Sequence, residues 1–289
     1  MTTAQVLRAR FPRATANLRR YGAATTRSFD EAGRLGWFTL ISARDTVFAL
    51  TRYRSEVLRL VAEVGMGTGA MAVVGGTAVI VGLVTASSGS IVALQGFSTL
   101  SHVGLGALMG FVAAMINVRL VAPVVTGVVL ASTVGAGATA ELGAKRISEE
   151  VDALEVMGIN SLAYLVSTRL IAVQVVIIPL YALALIASFV APQLVTTVMY
   201  GQPSGSYQHY FNTFLRPNDV FWSFAEMILV AGVVMLSHCY YGYNASGGPV
   251  GVGEAVGRSM RFSLVAINVV LILFEMTLYG VNPNFNFTV

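Results

Sequence analysis

Not one Asp, Glu, Lys or Arg occurs from Val64 to Val118, a run more than twice the ~20 residues that one membrane-spanning helix needs. A second uncharged run covers residues 170–215. Unpaired backbone amides are intolerable in hydrocarbon, so such runs predict helices. The whole chain agrees. Its 289 residues are 55% hydrophobic and 11% charged, with a mean hydropathy of +0.72, where soluble domains carry about 25% charged residues. The fold class is therefore an all-α integral membrane protein. Cys239 is the only cysteine, which excludes an internal disulfide framework.

Eleven of the 18 basic residues lie before residue 60, and all are Arg. That placement argues against a nucleic-acid surface and for a cytoplasmic N-terminus under the positive-inside rule. The first long apolar run begins near Val64, too late for a signal peptide. Residues 34–62 interleave Trp37, Phe38, Phe48 and Leu58 with Arg44, Arg52, Arg54 and Arg59, the pattern of an interfacial amphipathic helix or of a solvated helix beside the membrane. Residues 1–62 read as a basic arm with that helix, and residues 63–289 as the membrane domain.

Five spans are expected. Gly65–Ala86 forms the first, interrupted by Ser87-Ser88-Gly89-Ser90, with Ile91–His102 as a re-entrant or outer stretch. Leu105–Thr139 holds the second, and Leu162–Met199 contains the third, kinked at Pro179 and ending near Pro192. Tyr200–Val220 reads as a polar loop, Phe221–Tyr243 as the fourth span and Ala255–Tyr279 as the fifth. The glycines at 247–253 form a turn. With the N-terminus inside, the C-terminus falls outside, and Lys145, Arg146, Arg258 and Arg261 fall on the cytoplasmic side.

Residues 135–169 break the apolar pattern. Five of the chain's 14 acids, Glu141, Glu149, Glu150, Asp152 and Glu155, fall within one short stretch there. Ser148 followed by two acids predicts a capped helix start. Val151, Leu154 and Met157 give one apolar edge, and Gly158 followed by Asn160 gives a stop. A small helix of this kind, held at the membrane face between the second and third spans, suits docking to another protein.

Little catalytic chemistry is legible. No phosphate-binding loop of the GxxxxGK[ST] type occurs. His102, His209 and His238 lie in different segments without metal-ligand spacing, and no nucleophile–base set can be argued. Three ionisable residues sit at apparent membrane depth, where charge is expensive and usually faces an interior. Arg119 meets either a lipid head group or an interhelical partner. Glu226 and Glu275 either pair with polar groups or relay protons.

Gly135-Ala136-Gly137, Ala140-Glu141-Leu142-Gly143, Glu149 to Leu154, Met157-Gly158 and Tyr164-Leu165-Val166 through Arg169 resemble a signature of the MlaE/YrbE family of ABC-transporter permeases. Gly247 to Ser259 is similar to a second family block. Within the family the chain is similar to the B-type YrbE permeases of mycobacterial Mce lipid-import systems, of the fatty or mycolic acid type. The resemblance implies that Glu149–Leu154 is a cytoplasmic coupling helix, with Glu141, Ser148, Glu149, Glu150, Asp152, Leu154 and Met157 facing an ATPase. It implies that Arg119 and Leu120 lie near a lipid cavity.

The chain departs from the family pattern at Leu120, Thr133, Glu150 and Ser161, where the family carries Glu, Arg, Gln and Pro. Those changes suit a heterodimer with a homologous permease. The implied partners are that sister permease, a cytoplasmic ABC ATPase dimer holding ATP and Mg2+, and MCE-domain proteins outside. The implied location is the plasma membrane, and no cofactor or metal is implied for this chain. The competing readings are a membrane scaffold for MCE proteins, a proton-coupled carrier using Glu226 or Glu275, and a membrane-embedded lipid-modifying enzyme.

Overall fold

The structure is a computed structural model that describes residues 33–66 and 76–280. The Arg-rich arm, the expected start of the first span at residues 67–75 and the C-terminus lie outside them. The chain divides into two compact units, Met1–Arg44 and Asp45–Val289. In the first, residues 33–44 are helical, and the Thr39 hydroxyl donates to the Leu35 carbonyl at 2.7 Å.

The second unit opens with helical residues 45–52 and the helix Arg54–Met66. Ala49 and Val57 are buried against Ile171, while Leu58, Arg52 and Arg54 are exposed. Five helices are long and apolar enough to cross a membrane: Gly76–His102, Gly106–Ile147, Ala163–Met199, Pro217–Tyr243 and Gly248–Leu278. No β-strand occurs among the described residues. The first span packs on the third, and the fourth packs on the second, third and fifth.

Several expected boundaries are corrected. The serine cluster does not break the first span: Ser87, Ser88 and Ser90 each donate to the carbonyl four residues back, at 2.8 Å. Hydroxyls satisfied in this way are compatible with a helix interior, so Ile91–His102 is simply the span's last third. The third span passes Pro192 and ends at Met199.

Tyr200–Val220 is not a loop throughout. Helix Ser204–Phe214 lies across the start of the second span, with Tyr207 buried in a cluster with Ala93, Met109 and Ala113. Gly110 makes that crossing possible, because a Cβ there would strike the Tyr207 carbonyl. The fourth span starts at Pro217 and the fifth at Gly248, both with proline in the first turn, a position whose missing N–H would have no helical partner anyway.

Proline also shapes the interior of the bundle. Pro192 has no N–H to give the Ser188 carbonyl, its i−4 partner. Asn117 of the second span supplies the donor instead, with Nδ2 2.7 Å from the Ser188 oxygen. Pro123 likewise withholds an N–H from Arg119, and the second span widens to π-helical turns at Asn117–Val121, where the Ala122 N–H reaches back to the Asn117 carbonyl. Such widenings recur at functional sites.

Deeper in the bundle, a buried polar knot joins three spans. Thr139 Oγ1 lies 2.8 Å from His238 Nδ1 and 3.2 Å from Ser259 Oγ, and His238 Nε2 lies 3.1 Å from Ser263 Oγ.

Candidate functional site

One end of the bundle carries the short helix Glu150–Val156. Its start differs from expectation. Ser148 closes the preceding helix at φ −87, ψ 7, whereas a capping residue needs an extended backbone. Its hydroxyl lies 3.3 Å from both the Lys145 carbonyl and a Glu150 carboxyl oxygen. Glu149 makes the reversal instead, at φ 62, the only non-glycine among the described residues with positive φ. The stop is as read: Gly158 sits at φ +76, and the Ile159 N–H bonds the Leu154 carbonyl at 3.0 Å, a left-handed helix closure.

Three spans hold this helix. From the second, Arg146 pairs with Asp152 at 2.6 Å. At the head of the third, Ser161 donates to Glu155 at 2.7 Å. At the end of the fourth, the Tyr243 hydroxyl meets Ser161 at 2.8 Å and Glu155 at 3.3 Å, and its ring lies 5.9 Å from the Arg146 guanidinium. The expected apolar edge is only partly buried. Val151 is enclosed and Leu154 half-buried, but Met157 is 66% exposed and its neighbour Val156 is 89% exposed. An apolar tip, on a helix whose first turn carries the exposed acids Glu149, Glu150 and Asp152, therefore faces outward.

Glu141 does not belong to that tip. It lies in the second span, 2.6 Å from Arg169 and 2.8 Å from Lys145. Arg169 is buried and also donates to the Leu165 carbonyl at 2.7 Å. The pair lines a cavity of about 360 Å3, together with Leu60, Thr77, Thr133 and Met235. Beside it, Arg59 forks onto Glu56 at 2.7 and 3.0 Å and reaches Glu63 at 3.1 Å. That hydrogen-bonded fork holds the Glu56 carboxyl below its ordinary value and pushes the Arg59 guanidinium up.

The opposite half holds a second cluster. Arg119 pairs with Asp219 at 3.0 Å in a crevice also lined by Trp222, Ser223, Glu226 and Glu275. Sequence reasoning missed Asp219 by assigning it to a loop. Pro217 followed two residues later by an acid is a helix-start signature that places it in the span. Leu120 is 56% exposed and points away. Neither it nor Arg119 lines the larger cavity. Glu226 and Glu275, nearly two helix lengths apart in sequence, share the crevice. No group of three His, Cys, Asp or Glu among the described residues is arranged to hold a metal ion.

Five apolar helices, three of them tied at one end by a short helix with an exposed apolar tip, define a multi-pass membrane protein. The family described as Permease MlaE matches residues 66–277, and the chain belongs to that family. It is 30% identical over 197 residues to a probable ABC transporter permease protein of Rickettsia bellii, covering 65% of this chain and 73% of that one. It is 28% identical over 198 residues to a probable ABC transporter permease protein of Synechocystis sp., covering 68% and 75%. It is also 28% identical over 167 residues to the chloroplastic protein TRIGALACTOSYLDIACYLGLYCEROL 1 of Arabidopsis thaliana, covering 58% of this chain but only 48% of that one.

Proposed function

We infer that this chain is the membrane permease subunit of an ATP-driven lipid importer of the Mce type. A homologous YrbE-type permease completes the membrane cavity as a heterodimer, and a cytoplasmic ABC ATPase dimer, which holds the ATP and Mg2+, grips helix Glu150–Val156. MCE-domain proteins deliver fatty or mycolic acid type lipids from outside. The N-terminus lies in the cytoplasm, the C-terminus outside, and the membrane is the plasma membrane. Relatives named as ABC transporter permeases support the ATPase partner, and the galactolipid in the Arabidopsis protein's name supports a lipid cargo.

The observation that carries the reading is the exposed tip of Val156 and Met157 on a helix anchored to three spans. An apolar surface in water is stabilised by being covered, and movement of the cover is passed to the bundle. ATP drives transport only if the two cavity states bind the ATPase or the lipid differently.

The test is to tag the chain, extract it gently and identify co-purifying proteins by mass spectrometry, with Val156→Asp/Met157→Asp alongside. The reading expects an ABC ATPase, a second permease and MCE-domain proteins with the unsubstituted chain. In the double variant the ATPase is lost and the other permease retained. Recovery of the chain with MCE proteins alone supports a scaffold instead.

A further inference from the structure

The crevice around Arg119 contains more acid than its cation can neutralise. Among its described lining residues, Arg119 is the one cation and Asp219, Glu226 and Glu275 are three carboxyls. Asp219 takes the Arg119 ion pair at 3.0 Å. That leaves Glu275, which also feels the Arg119 charge, and Glu226. Glu275, four residues before Tyr279 at the end of the fifth span, is half-buried. Glu226 is 1% exposed, and its Oε1 has no hydrogen-bond partner among the described residues.

Depth separates the three acids. Asp219 stands in the first turn of the fourth span, whereas Glu226 is nine residues in from Pro217, roughly 14 Å along the axis at 1.5 Å per residue. That depth approaches the middle of a hydrocarbon layer about 30 Å thick. Asp219, Ser223 and Glu226 recur at helical spacing and share one face, so the crevice descends from the end that carries helix Ser204–Phe214. Behind the lining, Tyr181 of the third span bonds Ser223 through its hydroxyl. Ser223 in turn donates to the Val118 carbonyl at 2.8 Å. The charged and titratable groups whose fields reach Glu226 are Tyr181 from the third span and Glu275 from the fifth, while Arg119 of the second span and Asp219, about two turns nearer the helix start, act on Glu275.

We propose that Glu226 is a proton-binding site, reached past Glu275 from the Ser204–Phe214 end, and that its loading and release switch the Arg119–Asp219 link between the second and fourth spans. An isolated carboxylate in apolar surroundings takes up a proton rather than remain charged. Once the proton leaves, the charge on Glu226 bears on Glu275, the acid that also feels the Arg119 guanidinium and Asp219. The guanidinium's five donors are fixed in a planar fork, so turning toward the crowded Glu275 weakens its hold on Asp219. The second and fourth spans are then free to shift against each other.

The experiment is infrared difference spectroscopy of the purified complex in lipid nanodiscs, titrated with acid and base, on the unsubstituted chain and on Glu226→Gln. The expected result is a protonated-carboxyl stretch that titrates and shifts in heavy water, and that Glu226→Gln abolishes. Superimposable spectra overturn the proposal. Should Glu226→Gln fail to fold, Glu226→Asp keeps a carboxyl and must move the band or its midpoint; an unmoved band overturns the proposal equally.

The switching role rests on the permease reading and has its own readout. ATP-driven lipid movement should depend on pH in the unsubstituted complex and lose that dependence in Glu226→Gln, and an unchanged profile overturns the switch. Absence of lipid movement in the unsubstituted complex counts against the permease reading, while the infrared band still decides the proton site.

Discussion

Asn117 donates its side-chain amide to the Ser188 carbonyl at 2.7 Å, the group that Pro192 leaves without a helical donor. A residue of one span thus completes the hydrogen bonding of another, inside a layer where water cannot do so. Asn117→Leu leaves a buried carbonyl unsatisfied, a loss of about 1–3 kcal/mol. Pro192→Ala restores the internal donor, so the double variant should recover much of that loss. Thermal unfolding of the four detergent-purified proteins measures the cycle, and simple additivity would refute the pairing.

Gly135 faces the imidazole of His238 so closely that a Cβ would lie 2.6 Å from the ring. The ring is held on both nitrogens by Thr139 and Ser263 and has nowhere to retreat. Gly135→Ala should destabilise the bundle by about 1–3 kcal/mol through overpacking, and Gly137→Ala, which meets open space, should be close to neutral. Comparison of their unfolding midpoints decides between this packing account and a mere helix-propensity effect, which predicts that both alanines stabilise.

Tyr243→Phe keeps the ring under Arg146 but removes the hydroxyl bonds to Ser161 and Glu155. The anchor should weaken by about 0.5–1.5 kcal/mol. Amide hydrogen exchange across residues 150–157 should then quicken by roughly 2- to 10-fold, with little change in the spans. Unaltered exchange would show that the hydroxyl does not restrain the short helix.

The Glu56 carboxyl sits below its ordinary value of 4.5 because Arg59 hydrogen-bonds it. Its contribution is therefore complete above about pH 4.5 and fades as acid protonates it. Protection against exchange in helix Arg54–Met66, referred to the intrinsic rate at each pH, should fall on acidification below about pH 4.5. In Glu56→Gln that additional loss of protection should be absent.

The spans were legible because charge-free runs have one solution in a bilayer, and the Gly158 stop was legible because only a left-handed residue closes a helix that way. The first span's extent was not: a serine cluster looks like an interruption until each hydroxyl is seen to bond its own helix. Asp219 was hidden by polar neighbours that form the separate helix Ser204–Phe214. Glu141 looked like part of an acidic docking face, since only the fold brings Arg169 to it. The Asn117–Ser188 bond was beyond sequence reading, because which carbonyl a proline orphans is local but which span answers it is not.

Arg146, Ser161 and Tyr243 tie one short helix to three spans, which makes Glu150–Val156 a yoke rather than a lever. A push on its tip displaces the ends of the second, third and fourth spans together. Two of those spans also carry Glu141 and Arg169 into the wall of the larger cavity. Linkage runs in both directions: if a docked partner alters the affinity of the cavity by some factor, an occupant of the cavity alters the partner's grip by the same factor.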